Sequence, residues 1–169
     1  MTSRPRRHRL LLTVHIGVTV AVLGADLALL ALGVTGLRGA DPRTVYPAAH
    51  LLGQWLTAPL AVASLATGVL LAVRTAYKPW RYGWVAVKGV ITLVLTGALL
   101  GVLVPGLGRA ANAATAAPPD VTHTQRLLYM IAPAAAAILL ALNLTLGRYR
   151  PRLHRRAAPT SGVATTADG

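Results

Sequence analysis

Four apolar stretches, residues 10–37, 45–73, 82–104 and 125–146, dominate this 169-residue chain. Each matches the roughly 20 residues that a helix needs to cross about 30 Å of hydrocarbon. A soluble domain carries about 25% charged residues to keep its surface wet. Here only 12% are charged and 54% are hydrophobic, so the chain cannot clothe a globule of its size in charge. The expected fold is all-α: a polytopic four-transmembrane-helix bundle. A basic segment 1–9 precedes it, the membrane domain covers 10–146, and a basic, then disordered, tail occupies 147–169.

The first stretch comes after Arg4, Arg6, Arg7 and Arg9, as the apolar core of a secretory signal does. Such a core is only about 7 to 15 residues long, whereas this run is longer and contains His15 and Asp26, so we read it as a span. A twin-arginine signal at Arg6-Arg7 is disfavoured for the same reason.

Net charge is +13, and its placement gives the topology. With the N-terminus inside, twelve cations lie on inner segments (Arg4, Arg6, Arg7, Arg9, Arg74, Lys78, Arg81, Arg148, Arg150, Arg152, Arg155, Arg156) and four on outer ones (Arg38, Arg43, Arg109, Arg126). Cytoplasmic loops retain Lys and Arg, so both termini are expected in the cytoplasm, in a bacterial inner membrane. Anionic membrane lipid, rather than nucleic acid, then accounts for the basicity. The inner link, from Tyr77 to Trp84, alternates aromatics and cations as an interfacial belt does. The outer connection 105–124, rich in Ala, Gly and Pro, reads as a flexible loop.

Several chemistries are excluded. There is no Cys, so there are no disulfides, thiolate metal sites or cysteine nucleophile. Four acids, Asp26, Asp41, Asp120 and Asp168, are too few and too scattered for paired-carboxylate hydrolysis or a carboxylate metal site.

Ionisable groups at bilayer depth are expensive and mark function by default. They are His15, Asp26, His50 and Lys88, supported by Thr19, Gln54, Thr57, Ser64, Thr67, Thr92, Thr96 and Asn143. His15, Thr19, Val22 and Asp26 share one helix face, and so do His50, Gln54, Thr57, Ala61, Ser64 and Gly68. The hydroxyl and glycine positions read as helix-packing residues. At about 1.5 Å of rise per residue, His15 and Lys88 share an inner layer, while Asp26 and His50 share an outer one. The latter two, with Gln54 a turn away, are expected to form a proton relay or a structural pair. His15 and His50 lie roughly 15 Å apart in depth and cannot ligate one haem together. Pro59 and Pro133 each free a carbonyl and are expected to kink their helices. Gly97-x-x-x-Gly101 permits close helix contact within the chain or in a homodimer.

The run Trp84-Val85-Ala86-Val87-Lys88, with Val14-His15 and Gly24, resembles a family of four-span bacterial integral membrane proteins without an assigned activity. The likeness covers about Leu10 to Leu103, and it implies the same topology. More distantly, an early His and the Trp-x-x-x-Lys element are similar to HemJ-type protoporphyrinogen oxidases. That similarity implies haem b as a cofactor, with His15 as its ligand and Lys88 as a functional partner.

Three functions emerge as expectations. The first, preferred, is a non-catalytic binding or structural membrane component, partnered by lipid and by a second copy or another membrane protein. The second is a small haem-binding redox protein using His15 and Lys88. The third is a dimeric proton-coupled small-molecule transporter using Asp26.

Overall fold

A computed structural model describes residues 4–74 and 83–148, the side chains of 4–7, 83–86 and 146–148 excepted. The aromatic and basic link through Tyr77–Tyr82, the Trp84 ring and the tail from Tyr149 onward lie outside the described residues. The helices are α1 (Arg4–Leu37), α2 (Pro42–Leu52), α3 (Ala58–Arg74), α4 (Gly83–Ala98), α5 (Val104–Thr115) and α6 (His123–Arg148). Wider π-helical turns, Gly53–Thr57 and Leu99–Leu103, fuse α2 to α3 and α4 to α5. Four helical rods result that are long and apolar enough to cross a membrane: His8–Leu37, Pro42–Arg74, Val87–Thr115 and His123–Thr145.

The sequence explains where the rods begin and end. Gly39, at φ +92°, closes α1 in the left-handed conformation that glycine adopts without steric cost. There the Ala40 amide donates to the Thr35 carbonyl at 3.1 Å and the Gly39 amide to Gly36 at 3.3 Å, a Schellman pattern. Asp41 caps α2 by accepting from the Arg43 amide at 3.1 Å, with Pro42 supplying the preset first turn. Thr122 and Gln125 cap α6 reciprocally, each side chain accepting from the other's backbone amide at 3.3 and 3.0 Å.

Each π turn is succeeded by a proline two residues on, Pro59 or Pro105. Proline cannot donate to the carbonyl four residues back, and its ring crowds that oxygen. Widening the turn by one residue relieves the conflict, with the amides of Ala58 and Val104 donating five residues back to Gly53 and Leu99. The kink expected at Pro59 is therefore taken up as a π turn rather than as a broken helix.

The expected loop 105–124 is helical as far as Thr115. Leu107, Ala110, Ala111 and Ala114 repeat at the spacing of one helix face, and all four are buried; Ala110 and Ala114 are 0% exposed. Alanine-rich composition favours helix, so small residues here mean close packing against α2 rather than flexibility. The remaining connection, 116–122, is short.

α1 packs along α2, α3 and α6, α4 touches α3 and α6, and α5 lies against α2. The four rods thus form a ring closed between the first and last. One end carries Arg4 and Arg148, the first and last described residues; the other, distal end holds the tight core of Leu29, Tyr46, Leu107, Ala110 and Tyr129. There the Tyr46 and Tyr129 rings meet edge-to-face with centroids 5.8 Å apart, and the Tyr129 hydroxyl donates to the Gly106 carbonyl at 2.8 Å. Gly33 lets α1 approach α6 backbone to backbone: a Cβ there would collide with the Tyr129 carbonyl oxygen and lie 3.0 Å from Met130 Cα.

Candidate functional site

The polar face of α1 meets that of α3, as their spacing requires. His15 Nδ1 pairs with Thr67 Oγ1 at 2.9 Å, and Thr19 Oγ1 with Ser64 Oγ at 3.1 Å. Gly68 makes room for the His15 ring, whose Cε1 lies 3.1 Å from where a glycine Cβ would stand. Thr19 and Thr67 also return a hydrogen bond to their own helices, on the carbonyls of His15 and Ala63 at 2.7 Å each. These contacts join the two helices through paired polar side chains.

Further along the same seam the pairing stops. Asp26 is 4% exposed, and its Oδ2 has no hydrogen-bond partner among the described residues. It lines a cavity of about 260 Å³ to which all four rods contribute. Hydroxyls of Thr57, Ser64, Thr92 and Thr96 line the cavity with it, while Leu95, Leu99, Leu140 and Ala136 make the wall largely apolar. Leu128 at one end and Leu140 at the other are twelve residues apart on α6, so the space extends roughly 18 Å along the bundle. Arg109 lines its distal end, giving the cavity one cation and one carboxylate.

The Asp26–His50 pair expected from the seam is not formed: no hydrogen bond joins the two side chains. His50 instead packs on α5, with Nε2 3.0 Å from the position of a Cβ on Gly108. Gln54 is exposed. The cause is the π turn at Gly53–Thr57. One extra residue in a turn rotates the rest of the helix by about 100°, so a uniform 3.6 rhythm does not carry across it. Thr57, Ala61 and Ser64 keep the inward face, and His50 and Gln54 fall elsewhere.

In the other layer, His15 and Lys88 are both half-buried. The His15 ring is held between Thr67 and Gly68, and neither His15 nor Lys88 lines the central cavity. Asn143 Nδ2 donates to Thr92 Oγ1 at 3.1 Å, tying α6 to α4, and its buried Oδ1 has no partner among the described residues. A Cβ added at Gly97 or Gly101 would meet nothing within 4 Å, so among the described residues neither glycine marks a close helix approach. Among the described residues no three His, Cys, Asp or Glu side chains cluster to hold a metal ion.

Gly106 and Arg109, both on the cavity wall, escaped sequence reasoning because the third rod was ended too early. Once it continues past Pro105, Thr92, Thr96, Leu99, Leu103 and Gly106 form one face, and Arg109 stands one turn beyond. No family model, curated protein or solved structure matches the chain.

Proposed function

We propose that this is a multi-pass membrane protein that binds a small molecule in its central cavity without transforming it. The observation that carries the reading is Asp26: a buried side chain with an unpaired oxygen, facing an apolar space between four helices. An unsatisfied buried oxygen costs about 1–3 kcal/mol, so a bundle selected for stability alone would fill or neutralise that position. Pockets for small ligands share this make-up of apolar walls with a few polar groups.

We infer from the twelve-to-four division of cations in the sequence that the end near Arg4 and Arg148 faces the cytoplasm of a bacterial inner membrane. Two of the four distal arginines also have local work. Arg43 donates to the Ala116 carbonyl and Arg126 to the Gly36 carbonyl, each at 3.3 Å, where they satisfy helix ends.

Calorimetric titration of 1-hexanol, a small neutral probe, into the protein in phosphatidylcholine nanodiscs tests the reading, with empty nanodiscs subtracted. Saturable binding at one site per chain, lost in Ala136→Phe, is expected. Only partition, indistinguishable from empty nanodiscs in both proteins, would overturn it.

A further inference from the structure

The geometry points to a lipophilic amine in its protonated form as the ligand, its N–H seated on Asp26 Oδ2 and its hydrocarbon body along the apolar wall. The inference rests on the cavity-binding reading and adds to it the chemical class of the ligand.

Four observations combine. Asp26 is the one acid on the cavity wall, and its Oδ2 is an acceptor with nothing to accept from. The neighbouring hydroxyls do not supply the missing donor: Ser64 pairs with Thr19, Thr57 donates to the Leu52 carbonyl at 3.1 Å, Thr92 donates to the Lys88 carbonyl at 2.9 Å, and Thr96 makes no bond to Oδ2. A ligand that brings an N–H and a positive charge answers both needs at once, since charge-assisted hydrogen bonds are the strong ones. The remaining wall, with Leu95, Leu99, Ala136 and Leu140, matches a hydrocarbon body.

Arg109 sets the direction. It stands at the distal end of the cavity, so an ammonium is repelled there and drawn toward Asp26. A quaternary ammonium carries the same charge but no N–H, and its methyl groups would leave Oδ2 unsatisfied. The site therefore separates protonated amines from their quaternary analogues, and not merely cations from neutral molecules.

The test compares three probes of one chain length, n-hexylamine, hexyltrimethylammonium and 1-hexanol, titrated into the full chain in neutral phosphatidylcholine nanodiscs. Hexylamine is expected to bind at one site per chain, about tenfold or more tighter than either of the others. In Asp26→Asn, with its fold verified by circular dichroism and thermal unfolding, hexylamine is expected to fall to the affinity of hexanol. Should Asp26→Asn not fold, the ranking of the three probes on the unmodified chain decides alone. Equal saturable binding of all three overturns the amine assignment and leaves the cavity reading standing. A hexyltrimethylammonium affinity matching that of hexylamine, both above hexanol, overturns the requirement for an N–H donor. Absence of saturable binding by any of them overturns both.

Discussion

Replacing Asp26 by Leu should make the protein more stable, although the change removes a charged residue from the most polar part of the interior. Oδ2 is buried without a partner, and removing such an atom recovers about 1–3 kcal/mol. The larger leucine can extend into the adjoining space of about 260 Å³, so no overpacking offsets the gain. Burial of the leucine itself adds little, because the surrounding lipid is as apolar as the cavity. At about 1.4 kcal/mol per factor of ten, the unfolding constant should fall by roughly five- to a hundredfold or more. Equilibrium unfolding with sodium dodecyl sulfate in dodecyl maltoside micelles, monitored by circular dichroism, reads this directly. A loss of about 1 kcal/mol or more would refute the reasoning, since it would mean that Asp26 makes stabilising bonds. His50 is the control: Asp26→Leu and His50→Ala should be additive within about 0.5 kcal/mol, whereas a contacting pair would couple more strongly.

Gly33→Ala forces α1 away from the α6 backbone, while Gly24→Ala on the same helix meets nothing within 4 Å. The propensity gain is common to both, so by the same unfolding assay Gly33→Ala should be less stable by about 1–3 kcal/mol; equal stabilities would refute the close approach. Thr122→Ala removes one half of the reciprocal cap on α6 and should cost about 1 kcal/mol, with faster amide exchange over the first turn of that helix. Tyr129→Phe deletes the hydrogen bond to the Gly106 carbonyl and should cost about 0.5–1.5 kcal/mol; a stability unchanged within error would show that this bond does not help hold the distal core.

Much of the architecture was legible in the chain because a span of twenty apolar residues is a long signal that depends on little else. The α1–α3 seam was legible too. His15 and Thr19 are one turn apart and Ser64 lies on a stripe of its own, each in regular helix, so the two polar faces could be read, while the pairing of His15 with Thr67 and of Thr19 with Ser64 came only with the structure. His50 and Gln54 failed because their register depends on the π turn at Gly53–Thr57. Only Pro59 announced it, and a proline can equally bend a helix or break it. The same device precedes Pro105, and missing it there hid α5 altogether. Its face of Leu107, Ala110, Ala111 and Ala114 was present in the spacing, but alanine and glycine suggested a loop wherever close packing was not suspected.

The cavity is a different matter. It exists because α4 packs on α3 and α6 while the space toward α1 is left partly unfilled, and such a vacancy arises from the paths of four helices rather than from any one residue. The sequence marked Asp26 as costly at bilayer depth. Whether a partner met that cost was decided by the rotation of a different helix.

Ligand binding requires an open space beside Asp26, and because the chain has no Cys, single cysteines can be placed there one at a time. The direct measurement is the rate of modification of Thr96→Cys and Ala110→Cys by aminoethyl methanethiosulfonate in nanodiscs. Thr96 lines the cavity, and Ala110 is fully buried in the distal core. Thr96→Cys is expected to react and to be protected by n-hexylamine, while Ala110→Cys stays unmodified in the folded protein. If Thr96→Cys proved as inert as Ala110→Cys, the space beside Asp26 would be closed to small molecules and the central claim contradicted.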